Sequence, residues 1–433
     1  MAERYVVLGL AHVRAPWFAE VSRWATTAAA PVEFVKCLSA EEVRARLGSG
    51  RVFSALLVEA GAGGVDRDLL DLARTAGCAP IVVDETRPGR DWLTLGAAAA
   101  LPRSFDRAAL MDALRSCAPS LEAVGAVGVD AAAPRNIAAL RWRGRLVTVA
   151  GPGGTGASVL AAALAQSLAD EPFFGGGVAL ADFALDDDQA MLHAAPDIVP
   201  GLSELVDAHR VGEPDADEVR ALTFTVDQRG YRLLLGLRRH RDWAALRPRA
   251  AEAALEGLRR AFRVVVADAD ADLEGEAECG SVEVEERNLL ARLTAQNADV
   301  FVLVGGPDLK GLHSLVRTLE RAAAFGVDPA RIVVVINHAP RGARRRAEAA
   351  RALAGLTEVS LATPLAAPVC IGPRRGLDAA LRDGGRLPAA LGAPLAAAVR
   401  AVLDRAPDAP AAAEPRAVVP GSLGRLGGDE LAS

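Results

Sequence analysis

The chain has 433 residues, of which 51% are hydrophobic and 24% are charged. This length accommodates two or three domains, and this apolar content excludes a mainly disordered protein. The formal net charge of -6 excludes a chain-wide basic field for nucleic acid or anionic lipid, and leaves room only for a local patch. Five cysteines lie far apart without a CxxC pair, and no secretory signal pattern opens the sequence. We therefore expect a reduced, cytoplasmic protein without a disulfide framework or a zinc site.

The first region, residues 1–118, alternates short apolar runs with helical patterns. The apolar runs are YVVLGL (5–10), VEFVKCL (32–38), FSALLVEA (53–60), APIVVDE (79–85) and AAAALP (97–102). This alternation predicts a five-stranded parallel sheet with helices on both faces. Residues 119–139 follow with no helical or strand period and are rich in Ala, Gly and Pro, so we interpret them as a linker that leaves the orientation of its neighbours unfixed.

A second and larger α/β region is predicted over residues 140–405. Its strand candidates are LVTVA (146–150), GVALADF (177–183), YRLLLGL (231–237), FRVVVAD (262–268), ADVFVLVGG (298–306), RIVVVIN (331–337) and, as the weakest pattern, VSLATPL (359–365). Runs of Val, Ile and Leu without alternation are typical of parallel strands that are covered on both faces, so a mainly parallel sheet is expected. Residues 406–433 contain four prolines and few large apolar residues, which predicts a disordered tail.

A glycine-rich loop follows the first strand of the second region: Gly151, Pro152, Gly153, Gly154, Thr155, Gly156, Ala157 and Ser158. It matches the phosphate-loop pattern G-x-x-x-x-G-K-[ST] except at the lysine, which is Ala157. In such loops the backbone amides converge on phosphate oxygens, and the hydroxyl holds magnesium. A tight strand-to-helix turn without a ligand is the alternative interpretation.

Further segments resemble the MinD/ParA family of deviant phosphate-loop ATPases, in which the loop reads K-G-G-x-G-K-[ST]. Both family lysines are absent, because Pro152 and Ala157 stand there. The resemblance places Asp182 of VALADF at the first aspartate of a D-x-D motif, with Ala184 at the second. It also implies Ser158 and Asp268 as magnesium ligands, should ATP bind, and Asn337 against the adenine.

These losses argue against hydrolysis, so no catalytic residue is expected and ATP with magnesium is a weak or absent cofactor. The chain has only two lysines, Lys36 and Lys310, and neither lies in the loop. A replacement for the lost charges must therefore be arginine. The sequence offers Arg238, Arg239 and Arg241 as candidates.

The first region resembles a response-regulator receiver that has lost its chemistry. Glu59 stands where the family has its phosphorylated aspartate, and residues 9–12 contain no carboxylate where the magnesium-binding acidic pair belongs. Arg103 stands at the lysine of the family K-P-F motif. A Glu59–Arg103 contact would either mimic a permanently phosphorylated state or form a structural ion pair, and we favour the second.

A pseudo-receiver joined to a MinD/ParA-type domain resembles the CpaE/TadZ-like proteins of pilus and secretion systems. The segments RGYRLLLGLRRHRDWAALRPR and ADADADLEGEAECGSVEVEERN resemble the actinobacterial branch, which is also described as septum-site-determining. The resemblance implies a homodimer that works with pilus, secretion or division-machinery proteins, recruited to a pole or septum at the membrane face. Direct membrane insertion is not expected, because SLGRLGG near the C-terminus is short and Gly-rich.

Three functions are left open by these patterns. The favoured one is a non-catalytic localisation scaffold with a degenerate phosphate loop. The first alternative is a weak ATP-binding protein whose dimerisation is gated by nucleotide. The second is a DNA-binding partition protein, for which the Arg-rich segment RGARRRAEAARAL (341–353) is the candidate contact. Its arginines alternate with alanine without interleaved aromatic residues, so nucleic acid is an unfavoured partner.

Overall fold

Two β-sheets with flanking helices make up the protein in the computed structural model, which describes residues 4–12, 15–84, 90–119, 142–186, 188–195, 197–357 and 365–405. One sheet has five strands and the other has eight. The predicted α/β class, with one parallel and one mainly parallel sheet, is confirmed. The predicted tail and nearly all of the predicted linker lie outside the described residues.

The first sheet has the strand order β2-β1-β3-β4-β5, and all of its pairs are parallel. Its strands are Tyr5–Leu10 (β1), Val32–Cys37 (β2), Ala55–Glu59 (β3), Ala79–Asp84 (β4) and Ala99–Pro102 (β5). Its helices are Pro16–Thr26 (α1), Ala40–Leu47 (α2), Arg67–Thr75 (α3) and Arg107–Cys117 (α4). All residues of β1 and β3 are buried, because an apolar cluster covers each face of the sheet.

The second sheet has the order β13-β12-β11-β6-β10-β7-β9-β8. Its strands are Arg145–Ala150 (β6), Val178–Asp182 (β7), Phe224–Val226 (β8), Tyr231–Leu234 (β9), Val264–Ala269 (β10), Val300–Gly305 (β11), Ile332–Ile336 (β12) and Val369–Cys370 (β13). Every pair is parallel except β8 with β9. The sequence analysis missed β8 and β13, which are too short to show a period. The strand candidate at 359–365 falls almost wholly outside the described residues.

Helices cover both faces of the second sheet. They are Ala157–Ala169 (α5), Asp188–Leu192 (α6), Leu202–Val211 (α7), Ala216–Ala221 (α8), Pro248–Ala261 (α9), Glu276–Cys279 (α10), Val282–Arg287 (α11), Leu289–Asn297 (α12), Leu309–Phe325 (α13), Ala343–Thr357 (α14), Leu377–Arg382 (α15) and Ala389–Leu403 (α16). On one face α5 packs against α16, and on the other α7 packs against α9. Within the described ranges no helix is long and apolar enough to cross a bilayer.

Helix α3 of the first region caps the beginning of helix α9 in the second. The Asp68 carboxylate accepts hydrogen bonds from the backbone N–H groups of Arg249 (2.9 Å) and Ala250 (3.3 Å). Residue Arg247, which precedes α9, makes no side-chain cap of its own. Because the first amides of a helix have no partner within that helix, Asp68 supplies what α9 lacks.

The residue next to Asp68 contacts the end of another helix. Arg67 donates to the backbone carbonyl of His209 (3.2 Å) and to that of Gly212 (3.3 Å), at the C-terminal end of α7. A cation at this end interacts favourably with the helix dipole. The expectation that the linker leaves the two regions unfixed is therefore wrong, because their surfaces bind each other directly.

Removing the trans cap tests this contact. We expect Asp68→Ala to lower the free energy of unfolding by about 1 kcal/mol, the usual loss for a helix N-cap. Hydrogen exchange at the amides of Arg249 and Ala250 is the specific measurement, and it should accelerate. Asp112→Ala is the control, because Asp112 lies exposed on α4 and pairs with Arg115 of the same helix. Unchanged exchange in the Asp68 variant would contradict the capping role.

His209 is a buried histidine beneath the same contact. Its Nδ1 donates to the Leu205 carbonyl at 2.9 Å, and the imidazole faces Gly257 of α9, where a Cβ atom would lie 2.2 Å from Nε2. Burial, aided by the charges of Arg260 and Arg67, lowers the pKa of His209 from 6.5 to about 4. The folded protein therefore holds this imidazole neutral.

This depressed pKa predicts acid sensitivity. The unfolded chain takes up the proton near pH 6.5 and the folded chain only near pH 4, so His209 contributes stability above pH 6.5 that is lost as pH falls towards 4. The loss should reach about 3 kcal/mol, at about 1.4 kcal/mol per pKa unit. Urea unfolding of wild type and His209→Asn across this range measures it. The variant should show a smaller loss, whereas His313→Asn, at an exposed position on α13, should behave as wild type.

Candidate functional site

The glycine-rich loop lies between β6 and α5, at the edge where the parallel strands end. Gly154 and Gly156 have φ values of +79° and +81°, which residues with a side chain rarely adopt. Thr155 folds back on the loop, since both its N–H (3.2 Å) and its hydroxyl (2.8 Å) donate to the Pro152 carbonyl. The loop is thus a tight turn whose shape is set by glycine and by its own hydrogen bonds.

Asn337, which follows β12, fastens this loop. Its Nδ2 donates to the Thr155 carbonyl at 2.8 Å, and its Oδ1 accepts from the His338 N–H at 2.8 Å. A Cβ atom at Gly156 would lie 2.8 Å from the same Nδ2, so only glycine fits there. Asn337, which the sequence resemblance assigns to the adenine, therefore uses both the nitrogen and the oxygen of its side-chain amide to bind backbone groups.

Two candidate aspartates end adjacent strands of the sheet. Asp268 of β10 stands directly beside Asp182 of β7 in the parallel register. Both are buried, with 2% and 0% of their surface exposed. The Asp182 carboxylate accepts from the N–H of Ala184 (2.9 Å) and from that of Gln189 (3.1 Å). Asp182 therefore organises the segment that follows its own strand.

Gln189, on the short helix α6, joins the loop to Asp268. Its Nε2 donates to Asp268 Oδ2 at 2.7 Å and to the Ser158 carbonyl at 3.0 Å. Burial raises the pKa of Asp268, and its side-chain interactions with Gln189 and Ser158 oppose that rise. The sequence analysis did not identify Gln189, because an amide within the acidic run DDDQ carries no motif of its own.

The residues in these positions do not fit a magnesium-bound triphosphate. No side chain of the loop from Gly151 to Ser158 carries a charge. Asp268, which the resemblance assigns to magnesium, accepts a hydrogen bond from Gln189 Nε2.

A cleft of about 420 Å³ opens beside the loop, next to Gly151, Pro152 and Gly153. It has an acidic part, formed by Asp186, Asp270 and Asp272, and a basic part, formed by Arg287, Arg317 and Arg321. The sequence analysis missed these three arginines, because α11 and α13 that carry them are distant from the loop in the chain. The residues proposed from sequence, Arg238, Arg239 and Arg241, do not line this cleft, and Arg238 pairs with Glu204.

In the first sheet, the structure brings Glu59 and Arg103 together at 3.2 Å, across the ends of β3 and β5. The Glu59 side chain is only 5% exposed. Its Oε2 also accepts from the His12 N–H at 2.9 Å, and His12 Nε2 lies 2.8 Å from the Gly61 carbonyl. The Glu59 carboxylate thereby ties the end of β3 to the segments that follow β1 and β5.

No protein-family model and no curated protein matches the chain. Among solved structures, a ParA family ATPase from Chlorobium tepidum is 16% identical, with 60% of this chain and 98% of that chain aligned and a TM-score of 0.46. The cell-division ATPase MinD from Pyrococcus furiosus is 17% identical (60% and 99%, TM-score 0.44), and an ATP complex of a Cyanothece McdA variant is 18% identical (61% and 97%, TM-score 0.43). At these values the likenesses assign no residue role to the present chain.

Two glycines of the loop provide a matched test of its geometry. We expect Gly156→Ala to destabilise the protein by about 1–2 kcal/mol or more, because a left-handed backbone disfavours alanine and the new methyl group meets Asn337. Gly153→Ala is the control, since a Cβ there meets nothing within 4 Å and its φ is not positive. Thermal or urea unfolding compares the two. Equal losses of stability would show that the loop is not held in this conformation.

Proposed function

We propose that the protein is a MinD/ParA-like positioning scaffold with a degenerate phosphate loop, of the CpaE/TadZ-like, septum-site-determining branch. The observation that carries the proposal is the glycine-rich loop, residues 151–158. It keeps its conformation through its own hydrogen bonds, but it has no charged side chain. Pro152 and Ala157 stand where the family has its two lysines, and the Asn337 side chain donates a hydrogen bond to the Thr155 carbonyl of the loop. Such a loop can preserve an architecture without binding or hydrolysing nucleotide.

The magnitude of the lost charges supports this proposal. One ammonium about 4 Å from a phosphate oxygen contributes roughly 4 kcal/mol at an effective dielectric constant near 20, before desolvation is subtracted. That is close to three orders of magnitude in affinity. Proline also lacks the N–H that another residue at position 152 would offer. Backbone amides alone therefore leave ATP with magnesium as a weak or absent cofactor.

The partners that we propose are a second copy of the chain and proteins of a pilus, secretion or division machinery. Exposed apolar side chains support a binding surface at the carboxyl edge of the second sheet. Met191, Val282 and Leu309 are 68%, 52% and 74% exposed, in segments that follow β7, β10 and β11. We propose that they form one apolar interface. The working site proposed is cytoplasmic, at a pole or septum, against the membrane face.

The first region contributes recognition independently of phosphorylation in this proposal. Glu59 is a carboxylate that already has Arg103 and the His12 amide as partners. The segment that follows β1 offers no acidic pair for the magnesium that phosphoryl transfer requires. This arrangement provides a surface of constant shape rather than a switch controlled by phosphorylation.

One observation favours a second function, the nucleotide-gated dimerising switch. The cleft beside Gly151 contains Arg287, Arg317 and Arg321, and guanidinium groups bind phosphate. The DNA-binding alternative has less support. On α14, Arg344 pairs with Glu348, and the Arg346 side chain donates to the Pro340 carbonyl, so part of this basic helix is engaged within the protein.

Steady-state phosphate release from ATP and magnesium, measured on the full chain, tests the proposal. We expect no turnover above that of buffer, because the loop carries no lysine. Turnover that Asp268→Ala abolishes would overturn the scaffold and establish an ATPase. Equilibrium binding of ATP in the same sample separates the switch from the scaffold. Tagged full-length protein should form foci at a pole or septum in its native cell, and a diffuse distribution would contradict positioning.

A further inference from the structure

We propose that Gln189 is an internal replacement for the metal ion, and that it joins the loop to β10 without one. The inference deepens the proposed function and rests on it. The Gln189 amide meets the carboxylate that the resemblance assigns to magnesium, with Nε2 at 2.7 Å from Asp268 Oδ2, and it also lies 3.0 Å from the Ser158 backbone carbonyl. A side-chain donor thus makes the bridge between loop and strand.

The orientation of the amide follows from the carboxylate that it meets. A buried carboxylate without donors is costly, and only the NH2 side of an amide can donate to it. Gln189 Oε1 consequently finds no partner among the described residues, although the residue is buried. An unsatisfied buried acceptor costs about 1–3 kcal/mol. This cost is smaller than the cost of leaving the buried Asp268 carboxylate without this donor.

A chain of hydrogen bonds fixes the backbone that carries Gln189. His193 Nδ1 lies 2.7 Å from the Gln189 carbonyl, which can only accept, so Nδ1 carries the proton. Nε2 then accepts from the Tyr231 hydroxyl at 2.6 Å, and Arg229 donates to that hydroxyl at 3.4 Å. Arg229 is fully buried and also donates to the Gly385 carbonyl at 2.9 Å.

The protonation states of His193 and Tyr231 keep the bonds of this hydrogen-bond chain in place near neutral pH. Burial, aided by the charge of Arg229, lowers the pKa of His193 to about 4, so its ring is neutral near pH 7. Burial raises the pKa of Tyr231 to about 12, so its hydroxyl keeps the proton that it donates. His193 and Tyr231 are therefore positioning residues that act through Gln189.

Binding of Mn²⁺ alone, without nucleotide, tests the inference on the full chain. Electron paramagnetic resonance of the free ion gives the bound fraction. Wild type should bind weakly or not at all. Gln189→Ala releases the Asp268 carboxylate, whose oxygens suit a hard cation, and should raise the Mn²⁺ affinity at least about tenfold, or about 1.4 kcal/mol. Gln189→Glu, which keeps the size and adds a carboxylate, should raise it further.

Matched variants separate the bridge from general loosening. Gln166→Ala removes another buried glutamine, on α5, which bonds to Leu387 rather than to the site, and should leave Mn²⁺ affinity as in wild type. Tyr231→Phe removes the donor to His193 and should raise the affinity by less than Gln189→Ala. Should the alanine variant not fold, the glutamate variant decides.

The inference is overturned when wild type binds Mn²⁺ as tightly as the Gln189 variants, or when neither of them binds more tightly than wild type. A similar gain in Gln166→Ala also overturns it. These outcomes are distinct from ATP turnover by wild type, which would overturn the proposed function. The metal assay contains no nucleotide, so each proposal can fail independently of the other.

Discussion

Two carboxylates buried side by side, Asp182 and Asp268, are the constraint on which the second region depends. The parallel register of β7 and β10 places them at the same level of the sheet. Like charges in a dry environment need hydrogen-bond donors, and these come from the backbone after β7 and from Gln189. The backbone amides of Ala184 and Gln189 and the side chain of Gln189 meet that need.

The glycine-rich loop between β6 and α5 keeps its conformation although it has no charged side chain that could pair with a phosphate. Loops that bind phosphate hold it with backbone N–H groups at a helix N-terminus. Here order comes from within, through the Thr155 bonds to Pro152 and the Asn337 bond to Thr155. Positive φ values at Gly154 and Gly156 complete the turn. The loop and the aspartates are linked by the Gln189 bond to the Ser158 carbonyl, so the site behaves as one hydrogen-bonded unit.

The parts of the fold that the sequence predicts are those with a repeating signal. Strands such as β6, β10 and β12 are apolar runs buried on both faces, and their order along the chain brings Asp182 and Asp268 to one edge. Short β8 and β13 have no such period. The role of Gln189 depends on where α6 lies relative to β10, and the docking of α3 depends on two helix ends meeting in space. Neither leaves a trace in spacing or composition.

Arg67 and Asp68 make the contact between the two regions directional. They meet opposite ends of two helices, the carbonyl end of α7 and the amide end of α9. If α3 ran in the opposite direction, Arg67 would meet the amide end of α9 and Asp68 the carbonyl end of α7. Like partial charges would then lie together at both places, so the charge pattern favours the observed orientation. The two sheets are consequently held at a defined angle by bonds to helix ends.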